Sequence, residues 1–138
     1  MNEVFADTSG WGAFFVRAER FHAAAVAQVR ELSQGGAQVV TTNYVLAELV
    51  ALFIHPIRLA HFQQVRIMET IKTTPWVSVI HVDPMLDEEA WALWKRREDK
   101  NWSLVDCASF AVMQRRAITE ALTTDHHFEQ AGFRRLLV

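Results

Sequence analysis

Four carboxylates stand where a folded chain would ordinarily place something cheaper. Asp7 ends the first apolar segment, Glu48 interrupts the run VLAELVALFI, Asp106 lies inside SLVDCASFAVM, and Asp125 closes ITEALTTD. Brought together, such groups repel one another unless a hard cation lies between them. With oxygen ligands only, and no cysteine or histidine at ligand spacing, the set suits Mg²⁺ or Mn²⁺, as one ion or two. A centre of that kind polarises a phosphate, lowers the pKa of an attacking water and stabilises the leaving oxygen. These residues therefore point to a metal-dependent enzyme acting on phosphodiesters.

Each acid also has a structural explanation. Glu48 has Tyr44, Val45, Ala51 and Leu52 as its helical neighbours, so a carboxylate inside that apolar face needs a partner; an arginine at the core margin would serve, or Glu48 faces solvent on a mainly apolar helix. Asp106 stands three residues after Ser103, the spacing of a capping box. Asp7 and Asp125 each precede a helix and could simply cap it. What sets them apart is their surroundings. Thr8 and Ser9 follow Asp7, Thr123 and Thr124 precede Asp125, and Ser103 precedes Asp106. Short hydroxyls placed this way orient the ligands of a hard-metal site.

The elements that must position these residues alternate between strand and helix patterns. Residues 3–6 form a strand followed by the helix-start sequence Asp7-Thr8-Ser9-Gly10; further strands are expected at 38–41, 77–82 and 118–123, with a last edge strand at 133–138. Helical spacing covers 21–32, 43–54 and 59–71, then a helix capped by Asp83 and running to about 98, one capped by Ser103 and running to 115, and a short one at 126–131. This alternation implies an α/β three-layer sandwich around a central, mostly parallel sheet of four to five strands. Ligands of such sheets bind past the carboxyl ends of the strands, and all four acids fall at that edge. No repeat or linker divides residues 1–138, which read as a single domain.

Composition sets the outer bounds. A hydrophobic fraction of 51%, with nine Phe and five Trp, supplies a sheet covered on both faces. The net charge of −2 lacks the global basic signature of a nucleic-acid binder, so any backbone contact must come from local cations. The single cysteine, Cys107, reads as a buried structural thiol in a reducing, cytoplasmic setting. The first residues carry no basic-then-apolar signal pattern, and no apolar run reaches the length of a membrane span.

The acidic segments, taken in order, resemble those of PIN-domain ribonucleases, and in particular the VapC-type toxins of bacterial toxin–antitoxin pairs. VFADTSGW is similar to the first motif of that family, TTNYVLAEL to the second, DKNWSLVDCASFAVM to the third and ITEALTTDHHFEQAGF to the last. The resemblance implies Asp7, Glu48, Asp106 and Asp125 as catalytic metal ligands, supported by Thr8, Ser9, Ser103 and Thr124. It further implies Mg²⁺- or Mn²⁺-dependent cleavage of single-stranded or loop RNA by water attack, leaving a 5′-phosphate and a 3′-hydroxyl. A homodimer and a small antitoxin partner would accompany this activity.

Other residues carry smaller expectations. Lys100, with Arg96 and Arg97 upstream, could steer a phosphate backbone, and Trp102 could stack on a base. Trp11, Phe14 and Phe15 should pack on the sheet or form a dimer surface. Arg115 and Arg116 should complement a helix C-terminus. His126 and His127 flank the site and invite a general-base assignment, but clustered acids stabilise the protonated imidazole, which suits a phosphate contact better than proton abstraction, and His127 reads as a packing residue of the His126-His127-Phe128 turn. Three other functions compete. The same acids could serve a phosphatase or a DNA nuclease, or they could be structural in a non-catalytic RNA- or protein-binding module. A receiver-like signalling domain would need an adjacent acidic pair after the first strand, which is missing.

Overall fold

The computed structural model describes residues 2–138. Five strands, β1 (Glu3–Ala6), β2 (Gln38–Thr42), β3 (Val77–Ile80), β4 (Glu120–Leu122) and β5 (Arg134–Arg135), make one all-parallel sheet in the order β3-β2-β1-β4-β5. The connecting helices are α1 (Thr8–Phe15), α2 (His22–Gln34), α3 (Asn43–Ile54), α4 (His61–Thr73), α5 (Pro84–Arg96), α6 (Leu104–Arg115) and α7 (His127–Gln130). The expected α/β architecture is present at its upper strand count. The last strand is shorter than the pattern suggests: Arg134 and Arg135 are in register with β4, and beyond them the Leu136 and Leu137 N–H groups still donate to the Ala121 and Thr123 carbonyls.

Strands are added outward from β1 to β3, after which the chain returns to place β4 on the other side of β1. Right-handed crossovers then send the helices after β1 and β2 to one face and those after β3 and β4 to the other. Helix contacts fall into the same groups, α1 with α2 and α3, α3 with α4, and α5 with α6. Helices α3 and α6 also touch, which brings the Glu48 and Asp106 segments together. The order reverses between β1 and β4, and that switch point is where parallel sheets open a ligand crevice. Asp7 and Asp125 follow the two strands that flank it.

Val4, Phe5 and Ala6 are fully buried, as expected for a strand covered on both faces. Trp11 is core rather than dimer surface; its indole N–H donates to the Thr41 hydroxyl at 3.2 Å, which donates to the Ala6 carbonyl at 2.9 Å. Arg115 and Arg116 do more than end a helix, since they pair with Glu89 on α5 and Glu3 on β1. Cys107 is buried, and burial pushes its thiol up to about 11, so it is inert at neutral pH.

Gly10 decides how closely α1 lies against the sheet. A β-carbon there would come within 1.9 Å of the Leu122 carbonyl oxygen on β4. That oxygen also accepts from the Asp7 N–H, so the first turn of α1 is docked directly onto the end of β4. Gly10→Ala must lever the helix away. Denaturant unfolding should show a loss of roughly 2 kcal/mol or more, and an unchanged midpoint would contradict this packing.

Candidate active site at the β1–β4 switch point

Asp7 is buried at the end of β1 and caps α1. Its Oδ1 accepts from the Gly10 N–H and from the Ser9 hydroxyl, both at 2.8 Å, and its Oδ2 accepts from the Thr123 hydroxyl at 2.7 Å. The register explains that third bond, because Ala6 pairs with Leu122 and the next residues, Asp7 and Thr123, leave the sheet side by side. Burial raises the Asp7 carboxyl to about 7 despite the three donors, and the nearby Asp125 adds to the rise.

Glu48 sits in the second turn of α3, which Thr42 opens by accepting from the Val45 N–H at 3.1 Å. The buried stripe of α3 is Val45, Leu46, Leu49 and Phe53, so Glu48 is exposed beside it and not inside an apolar face. Its partner is a hydroxyl and not an arginine, since Thr8 Oγ1 donates to Glu48 Oε1. Partial desolvation of the carboxyl end raises its pKa, and Asp106 and Asp125 push in the same direction.

Asp106 completes a capping box on α6. The Ser103 N–H donates to its Oδ2 at 3.1 Å, and its own N–H donates to Ser103 Oγ at 3.0 Å. Desolvation raises its pKa as well, with the Ser103 and His127 contacts opposing the shift. Asp125 follows β4, where its N–H donates to the Thr123 hydroxyl at 2.9 Å and its Oδ1 accepts from the His127 N–H at 2.9 Å.

All four acids line one cavity of about 410 Å³, together with Thr8, Ser9, Ala51, Leu52 and His55. A larger cavity, about 640 Å³ between α3, α4 and β3, contains none of them. The acidic pocket meets a simple chemical test for a divalent cation. Its four acids offer carboxylate oxygens from four different segments, and three of them are pushed toward their neutral forms until positive charge is supplied. A competing set, Asp125, His126 and His127, places one ligand atom each within 4.8 Å of one another. Its mixed nitrogen and oxygen donors suit a softer metal, and His126 is largely exposed.

Several supporting residues differ from the sequence expectation. The Thr123 hydroxyl, not that of Thr124, holds Asp7 and Asp125. Thr124 takes part through its backbone, its N–H donating to Ser9 Oγ and its carbonyl accepting from Arg135. His127 is more than a packing residue, for its Nδ1 lies 3.0 Å from Asp106 Oδ2 and 3.3 Å from Asp125 Oδ2, joining α6 to the end of β4. Its position two residues after Asp125 was the available signal. Trp102 is buried, with its N–H donated to Gln130 and its ring stacked under Arg97, so it has no face for a base. Arg96 is exposed and lines neither the acidic cavity nor the cleft beside Ser103, whereas Lys100 lines that cleft.

A PIN domain model matches residues 4–134. The 23S rRNA-specific endonuclease VapC20 of Mycobacterium tuberculosis, in strains H37Rv and CDC 1551, is 34% identical over 130 residues, spanning 94% of this chain and 95% of its own. The crystal structure of that VapC20, described as a sarcin–ricin loop cleaving toxin, superposes with a TM-score of 0.81 at 33% identity, covering 94% of this chain and 95% of the other. FitAcB from Neisseria gonorrhoeae, at 16% identity and a TM-score of 0.67 over 95% of this chain and 94% of its own, shares the fold. On this match across nearly its whole length, the chain belongs to the PIN-domain family.

Proposed function

We propose that this protein is a metal-dependent endoribonuclease that hydrolyses RNA phosphodiester bonds, with Asp7, Glu48, Asp106 and Asp125 as its catalytic carboxylates. The observation that carries this reading is the single cavity those four residues share. VapC20's action on 23S rRNA favours RNA over DNA or a phosphomonoester, and a structured ribosomal RNA loop is the substrate to try first. Mg²⁺ or Mn²⁺ held by the four acids would supply charge to the scissile phosphate, acidify an attacking water and stabilise the departing oxygen. In the overall reaction the water oxygen bonds to phosphorus, the P–O3′ bond breaks and O3′ gains a proton. The products are a 5′-phosphate and a 3′-hydroxyl.

The protein's own part is to hold the acids still. Ser9, Thr123 and the Gly10 N–H fix Asp7 from three directions, and Thr8 draws Glu48 in from α3. His127 spans Asp106 and Asp125, keeping α6 in register with the end of β4. Incubation in Mn²⁺ with an RNA stem-loop, single-stranded DNA, duplex DNA and a phosphomonoester tests the assignment. Cleavage confined to the RNA is expected. Turnover only of DNA or of the phosphomonoester would overturn it, and Mn²⁺ binding without turnover would favour a non-catalytic module.

His127→Ala should reduce cleavage by roughly 10- to 100-fold and weaken Mn²⁺ affinity in calorimetry, with the fold intact. His127→Gln, whose amide can still donate to Asp106, should recover part of both. Equal Mn²⁺ affinity in the wild type and His127→Ala would remove this positioning role.

The same reading makes the protein the toxin of a toxin–antitoxin pair, restrained by a small protein partner and active as a homodimer. Ile54, Phe62 and Val65 expose apolar surface on α3 and α4 that could serve such contacts. Sedimentation of the purified protein, and co-purification with the product of an adjacent small reading frame, would test the two associations.

A further inference from the structure

Next to the acidic pocket lies a second cleft, of about 530 Å³, between the end of α5 and the start of α6. That volume falls within the range of small-ligand sites, roughly 300–1,000 Å³. Three cations, Lys95, Arg97 and Lys100, line it against a single acid, Glu98. This local excess of positive charge stands out in a chain whose net charge is −2. Arg97 is already committed, paired with Asp99 at 3.0 Å and stacked over Trp102. Lys95 has no ion pair among the described residues, and Lys100 has only a distant one, 3.9 Å from Asp99.

The cleft also presents an aromatic surface. Trp94, in the last turn of α5, is 46% exposed and meets Trp91 edge-on, with ring centroids 5.5 Å apart at 89°. Unlike Trp102, whose ring and N–H are both engaged, Trp94 offers a ring to a ligand. The cleft is linked to the candidate active site through Ser103, which lines it and exchanges two hydrogen bonds with Asp106. Lys100 also lines a neighbouring cavity with Glu98, Asp99, His126 and His127, so a continuous surface leads from the cleft to the Asp106–Asp125 side of the pocket.

We infer that this cleft is a nucleobase subsite, in which an unpaired RNA base near the scissile bond stacks on Trp94 while Lys95 and Lys100 hold the adjoining phosphates. Stacking on an indole tolerates any base, and the lysines supply affinity without reading sequence. The subsite thus selects single-stranded or looped RNA over duplex, in which bases are already stacked within the helix. The substrate rests on the nuclease reading; the binding test does not.

Fluorescence anisotropy of a fluorescein-labelled single-stranded oligoadenylate decamer, in EDTA to prevent cleavage, measures the site directly. Trp94→Ala should weaken binding by roughly 5- to 100-fold. Trp94→Phe should restore most of it, and Trp91→Ala should have a smaller effect. Lys95→Ala and Lys100→Ala should each lower the slope of log affinity against log salt by about one. In cleavage of an RNA stem-loop, Trp94→Ala should raise KM and change kcat less than about threefold. Cleavage with an unchanged KM, and decamer binding unaffected by Trp94→Ala, would overturn the subsite while leaving the nuclease reading intact. Trp94-dependent binding by a protein that cleaves no RNA would do the reverse. If Trp94→Ala instead converts a sedimenting dimer to monomer with RNA affinity per protomer unchanged, the face is a protein interface and the inference fails.

Discussion

Asp7→Asn is expected to lower RNA cleavage by about a thousandfold or more, while the variant without metal melts higher than the wild type. Both effects have one origin. Asp7 is buried and its carboxyl is raised to about 7, against roughly 4 in an unfolded chain. A proton bound more tightly in the folded state means that stability falls as pH rises from about 4 to about 7, then levels off with the ionised form disfavoured. Asparagine removes this penalty, on the order of 2–4 kcal/mol at neutral pH, or roughly 5–15 °C in Tm.

The hydrogen bonds around position 7 permit the exchange. An amide oxygen can still accept from Gly10 and Ser9, and the Thr123 hydroxyl can rotate to accept from the new amide. Thermal melts of both proteins in EDTA at pH 5 and pH 7.5 test the claim. The gap should be small at the lower pH and wide at the higher one. A variant that melts lower than the wild type at pH 7.5 would show that Asp7 is held as a comfortable anion, contrary to its burial.

The second large effect concerns the cation. EDTA should abolish cleavage, and Mn²⁺ at a hundred times its dissociation constant should stabilise the fold by about 2.7 kcal/mol. Because Asp7, Glu48 and Asp106 all have raised values, binding must expel protons, and affinity should climb as pH rises toward 7. Titrations at pH 6 in two buffers of different ionisation enthalpy would count them. Zero protons released, or affinity flat between pH 5.5 and 7.5, would mean that the cation does not sit among these carboxylates. Asp7→Asn should reduce the number released, since Asp7 is the carboxyl raised to about 7.

Much of the fold could be read from spacing because its signals are local. The β-branched run before Thr42, the Asp83-Pro84 start and the Ser103 capping box each fix an element boundary through bonds within a few residues. What the sequence hid depends on register and on partners distant in the chain. Thr123 and Thr124 are equivalent as text, and only the pairing of Ala6 with Leu122 puts the former beside Asp7. Glu48 stands out in the sequence because it interrupts an apolar run. Yet the buried stripe of α3 passes to one side of it, and its wet position is what a pocket ligand needs. Trp102 is sealed by Gln130, Phe110 and Arg97, three contacts that local spacing does not show. Trp94, on α5, is exposed instead.

The central claim is that four carboxylates, dispersed along the chain, share a divalent ion at the β1–β4 switch point. Diffraction from crystals grown in Mn²⁺, recorded for the anomalous signal of manganese, tests it most directly. The predicted result is a peak in the acidic cavity within about 2.0–2.3 Å of carboxylate oxygens of Asp7 and at least one of Glu48, Asp106 and Asp125. A peak bound instead to His126 and His127, or no peak at saturating Mn²⁺, would contradict the account.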